Sequence, residues 1–151
     1  MNIARLLASK GANVVTIGPE NTIREALRRL AQHNIGALVV VEGQGGLSGI
    51  VTERDIVRAL ARTEAILDEP IAAIMTRDVV IGTPQDDLVA VGHTMTESRI
   101  RHLPVVDGGR LVGIVSIGDV VKAQRDQYQG EVDTLQFQLL QEEDVKSPRA
   151  S

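Results

Sequence analysis

Short apolar runs and polar, glycine-bearing breaks alternate along the chain, and the alternation occurs twice in the same order. Val14-Val15-Thr16-Ile17, closed by Gly18-Pro19, predicts a short strand. Ile23, Ala26, Leu27 and Leu30 then recur at helical spacing with Arg24, Arg28 and Arg29 opposite, so a helix follows, capped by Asn21 or Thr22. Asn34 to Gly36 ends it. Ala37 to Val41 predicts a buried strand, Glu42 to Gly46 a turn, Leu47 to Val51 a strand pairing back as a hairpin, and Asp55 to Arg62 a helix. The order is strand, helix, strand, strand, helix.

That order returns after a connector, Thr63 to Thr76, in which Pro70 and the run Ile71 to Met75 predict a further short helix. Pro84 stands 65 positions after Pro19, and Leu88, Val91, Met95 and Ile100 keep the same interval from Ile23, Ala26, Leu30 and Ile35. The interval falls to 64 between Asp55 and Asp119, because Asp107 to Arg110 is one residue shorter than Glu42 to Gly46. A length change confined to a hairpin turn, where it costs little, marks a duplicated unit. The expected division is an arm at 1–10, repeats at 11–62 and 77–125 joined by the connector 63–76, and a helical tail at 126–151.

Leu6 and Leu7 of the arm need a surface to cover them. In the tail, Tyr128, Val132, Leu135 and Leu139 are spaced by four, three and four, a heptad-like stripe that either packs back on its own module or pairs with a helix of a second chain. Residues 146–151 read as a frayed end.

Composition narrows the class. With 151 residues, 43% hydrophobic and 24% charged, the chain can bury one core or two small fused ones. No apolar run approaches the roughly 18 residues of a membrane span, and Met1 to Lys10 lacks a signal sequence, so the cytoplasm is expected. A net charge of -4 argues against nucleic acid as a partner. The absence of cysteine excludes disulfides and thiolate chemistry. His33, His93 and His102 lack metal-ligand spacing and no standard catalytic motif occurs, so neither a metal nor catalysis is expected. Tyr128 and Phe137 are the only aromatic residues, so a planar ring bound within the repeats would lie between aliphatic side chains.

The candidate chemistry sits at two strand-to-helix junctions, Leu47 to Asp55 (LSGIVTERD) and Leu111 to Asp119 (LVGIVSIGD). Thr52 with Asp55, and Ser116 with Asp119, have two readings. They are helix capping boxes with Asp in place of Glu. They are also ribose hooks: an aspartate at a helix start can accept both hydroxyls of a ribose diol, while Thr52 and backbone N–H groups face a phosphate. Gly49 leaves the approach open. Arg101-His102, at the mouth of a second-repeat strand, is solvated surface or a phosphate contact, and Gly36 and Ala37 occupy the matching positions.

The stretches GIVTERD, IRHLPVVD, GIVSIGD and IMT, in order across roughly residues 10 to 125, resemble the tandem cystathionine β-synthase (CBS) domain pair, or Bateman module. The resemblance implies an α+β fold of two pseudo-symmetric repeats packed through their sheets, with two clefts for adenosine-containing ligands: AMP foremost, then ATP, NAD or S-adenosylmethionine. It implies a regulatory protein that catalyses nothing, signals to an unidentified effector, and forms a homodimer through helices bearing Ile56, Leu60, Val120 and Val121. Carried over by position, one cleft joins Asp55 and Thr52 to Thr83, Arg101 and His102. Adenine would sit among Val80, Ile81, Leu88 and Met95, a stripe that also reads as core, and Arg54 and Lys10 either lengthen the phosphate surface or are solvated surface. The second cleft comprises Asp119, Ser116, Gly18 and Ile23. Its lack of a basic pair predicts that the Asp55 cleft fills first. The competing expectation is a structural or oligomerisation module with vestigial clefts.

Overall fold

The computed structural model describes residues 1–146, so the expectation for residues 147–151 lies outside the described residues. Helix α1 (Ile3–Lys10) precedes strand β1 (Thr16–Ile17), helix α2 (Ile23–His33), the hairpin β2 (Ala37–Glu42) and β3 (Gly46–Thr52), and helix α3 (Glu53–Leu60). Two 3₁₀ turns (Glu64–Asp68 and Ile71–Ala73) make the connector, where a short helix was expected. Helix α4 (Leu88–Ser98), the hairpin β4 (His102–Asp107) and β5 (Arg110–Ser116), and helix α5 (Ile117–Lys146) complete the chain. The first sheet has the order β1-β2-β3, with β1 parallel to β2. The two hairpins share a register: Ala37 faces Thr52 as His102 faces Ser116, and each ladder shifts once, at Val40/Val41 and at Val105/Val106. β3 lies against β5, joining the repeats sheet to sheet.

The second repeat departs from the expected order in one respect. Where β1 should recur, a single parallel bridge joins Gly82 to Val105. Gly82 occupies the position of the buried Ile17, and a Cβ there would come within 2.7 Å of Leu103 Cδ2 and 3.0 Å of Ile3 Cδ1.

Ile3 belongs to α1, and α1 does not belong to the repeat it precedes. Ile3, Leu6 and Leu7 are buried in the second repeat's core with Leu88, Val91, Met95 and Leu103. Ile71 and Met75, which precede the second repeat, are buried in the first repeat's core. The exchange is matched bond for bond: Ile3 and Ala4 donate to the carbonyls of Asp86 and Pro84, as Ile71 and Ala72 donate to those of Asn21 and Pro19. Burying each large side chain contributes about 1.5–3 kcal/mol. The arm is therefore an integral part of the second repeat, and it is what covers Leu6 and Leu7.

α2 and α4 end alike, with Asn34 and Arg99 in the left-handed region (φ 52° and 55°). α5 passes position 125 without a break, so the expected boundary between repeat and tail falls inside one helix. Of the residues expected to pair two molecules, Ile56 and Val120 lie fully within the cores, Leu60 is half-buried, and Val121 is exposed.

Candidate functional site

Both strand-to-helix junctions form the reciprocal cap. Asp55 N–H donates to Thr52 Oγ1 (3.2 Å) and Thr52 N–H to Asp55 Oδ2 (2.9 Å). Asp119 N–H donates to Ser116 Oγ (3.1 Å) and Ser116 N–H to Asp119 Oδ2 (2.9 Å). In each, Oδ2 serves the cap, and among the described residues no hydrogen bond is made to Oδ1, so the two sequence readings can coexist at different oxygens of one side chain.

The junctions differ in what surrounds them. A cleft of about 290 Å³ opens beside Asp119 and Ser116, walled by Val14, Val15, Ile35 and Ile114, with Asn13, Lys10 and His102 at its polar edge. Lys10, the last residue of α1, donates through Nζ to Asp119 Oδ2 and to the Ile114 carbonyl (2.8 Å). The packing of α1 on the second repeat carries Lys10 to this place, whereas the sequence reading assigned it to the Asp55 cleft. Burial alone would raise the Asp119 pKa, but the hydrogen bonds from Lys10 and from the Ser116 N–H and hydroxyl outweigh it and hold the carboxyl below its ordinary value.

His102 also belongs to this cleft. It begins β4 opposite Ser116 and reaches across to the first repeat, where its Cε1 would stand 3.5 Å from a Cβ on Gly36. A mouth that looked bare from Gly36 and Ala37 alone thus receives its imidazole from the other repeat. Burial lowers the His102 pKa below 6.5, Glu53 and Asp119 oppose the shift, and Arg101 and Lys10 add to it.

Of the other sequence candidates, Leu88 and Met95 are buried in the core of the second repeat and Ile23 in that of the first. Gly18 sits in a turn, its N–H bonded to Asn21 Oδ1 (3.0 Å), and Thr83 repeats that turn with Asp86, its N–H donating at 2.9 Å and its hydroxyl at 3.0 Å. Val80 and Ile81 are exposed, as are Arg54 and Arg101, and among the described residues Arg101 makes no ion pair with Asp55. Asn13, Val14, Val15, Ile35 and Ile114, which line the Asp119 cleft, were not among the sequence candidates. The signal was available, since Val15 stands 65 positions before Val80 and Ile114 lies inside GIVSIGD. Among the described residues no cluster of His, Asp and Glu could hold a metal, and no helix is long and apolar enough to cross a membrane.

Two copies of the CBS domain family model match, at residues 7–62 and 71–126, and the chain belongs to that family. It is 42% identical over 113 residues to the CBS domain-containing protein YhcV of Bacillus subtilis, covering 74% of this chain and 79% of that protein. The crystal structure of a CBS-domain containing protein from Agrobacterium tumefaciens superposes with a TM-score of 0.80 at 44% identity, over 82% of this chain and 99% of that one. The CBS domain pair of protein MJ0100, solved with 5′-methylthioadenosine and S-adenosyl-L-methionine, superposes with a TM-score of 0.75 at 31% identity, over 84% of this chain and 98% of that one.

Proposed function

We propose that the chain is a regulatory module that binds an adenosine-containing ligand in the Asp119 cleft and reports its level to a partner protein. The carrying observation is a cleft with aliphatic walls, a capped carboxylate whose Oδ1 can accept a ribose hydroxyl, and two nitrogen bases, Lys10 and His102, at its edge. A ring inserted between Val14, Val15, Ile35 and Ile114 leaves its polar edge to Asn13, whose amide both donates and accepts. Lys10 turns from Asp119 to the phosphate. A volume of about 290 Å³ is at the small end for ligand sites. The ligands of the MJ0100 domain pair support the adenosyl class.

The role is binding without catalysis, in the cytoplasm, and the working form is a homodimer. Val57 and Val121, equivalent in the two repeats and 65% and 55% exposed, give the helix faces that meet. One observation favours a structural role instead: Lys10 already neutralises the Asp119 carboxylate within the protein. A thermal-shift series with AMP, ADP, ATP, NAD and S-adenosylmethionine decides between them. A rise in melting temperature with AMP supports the reading, and no response to any of the five rejects it.

A further inference from the structure

The second family match ends at residue 126, yet α5 runs on to Lys146, about five and a half more turns. Along this extension Tyr128, Leu135 and Leu139 are 68%, 59% and 59% exposed and Val132 is half-buried, while Phe137 and Leu140, each 61% exposed, lie off this stripe. A helix without tertiary cover and with a glycine at 130 is marginal in water, so this one calls for a partner.

The stripe specifies that partner. On a heptad, Arg125, Val132 and Leu139 take position a, and Tyr128, Leu135 and Glu142 take position d. The two charged residues close the apolar run at its two ends, with opposite signs. In a parallel pair, a meets a and d meets d, which sets Arg125 against Arg125 and Glu142 against Glu142. In an antiparallel pair every a meets a d. Val132 then faces Leu135, Leu139 faces Tyr128, and Arg125 faces Glu142, all about one twofold axis between residues 133 and 134. Like charges in facing positions cost stability and opposite charges contribute it, so the pattern selects one direction. We infer that the α5 extension pairs antiparallel with that of a second copy of this chain, over about 25 Å from Arg125 to Glu142. The contact is independent of ligand binding and of the Val57 and Val121 faces. Each module projects from its own end of the paired helices, so the two modules of one pair do not meet through Val57 and Val121, and the tail contact links one module dimer to another.

The natural chain has no cysteine, so single cysteines report the pairing directly in the full-length protein. Tyr128→Cys and Leu139→Cys proteins, mixed and oxidised, should give the mixed 128–139 disulfide well above either same-position product. Arg125→Glu should lower that product at least about tenfold, equivalent to about 1.4 kcal/mol, and adding Glu142→Arg should restore it. The inference is overturned if same-position products dominate, or if the mixed product does not exceed that of an outer-face control, Asp126→Cys with Gln141→Cys. Cross-linking reads the helices alone, so its outcome is separate from that of any nucleotide titration.

Discussion

Lys10 and Asp119 are joined across 109 positions of sequence: the ammonium at the end of α1 donates to the carboxylate that caps α5. Both side chains are about three-quarters buried, so the pair is shielded from the solvent that weakens surface ion pairs. It has a distinctive consequence for ligand choice. Lys10→Met should weaken AMP while leaving adenosine about as tight, because the change removes a phosphate partner and leaves Asp119 Oδ1, the ribose acceptor, in place. Calorimetric titration of both ligands checks this, and equal losses for the two would count against the assignment of Lys10 to phosphate.

His102 makes binding depend on pH. Its folded pKa lies below 6.5 because burial disfavours the charged ring, so the free protein carries it neutral at pH 7. A neighbouring phosphate favours the imidazolium, and binding then takes up a proton. AMP affinity should therefore increase as pH falls from 7.5 towards 6, and His102→Asn should remove that part of the slope. For stability without ligand, the unfolded chain binds the proton more readily. The contribution of His102 is intact above about 6.5 and is lost as pH falls through its lower folded value. Proton uptake measured in buffers of different ionisation enthalpy tests the first sign, and denaturation against pH the second.

The exchanged segments predict unequal responses to alanine at two equivalent glycines. A Cβ on Gly113 would lie 2.7 Å from Leu7 Cδ1, a side chain that can shift, whereas one on Gly49 would lie 2.7 Å from the backbone oxygen of Thr76. Overpacking costs about 1–3 kcal/mol, and Gly49→Ala should fall at the upper end. Leu7→Ala should rescue part of the Gly113→Ala loss, with no rescue of Gly49→Ala. Denaturant midpoints of the singles and doubles measure it.

Arg99 holds the left-handed position that ends α4, at φ 55°, while its counterpart Asn34 is a residue that tolerates it. Arg99→Gly should stabilise the protein by about 1 kcal/mol, read as a higher denaturant midpoint.

The repeats, their elements and the two caps were legible because each rests on local pattern: helical spacing, β-branched runs, and a hydroxyl three residues before a carboxylate. The place of α1 and of Lys10 was not, because α1 crosses to the other repeat. Nothing local to Ile3, Leu7 or Lys10 says which repeat they cover. Once α1 crosses, Ile3 fills the place over Gly82 and Lys10 enters the Asp119 cleft. His102 was grouped by its neighbours in sequence, which are those of the second repeat, while its ring reaches Gly36 of the first. Leu88, Met95 and Ile23 look alike as core or as ligand wall, and only burial separates the two.

The most direct test is a pair of AMP titrations on isosteric variants that keep the caps. Asp119→Asn preserves the acceptor for Ser116 N–H and removes the charge at the cleft, and Asp55→Asn does the same at the other junction. Losing one charge-assisted bond to ribose costs about 1.5–3 kcal/mol, so Asp119→Asn should weaken the tighter binding event by roughly tenfold or more and Asp55→Asn should leave it in place. If Asp55→Asn abolishes the tighter event and Asp119→Asn spares it, the ligand sits in the other cleft and the account given for Lys10 and His102 is wrong.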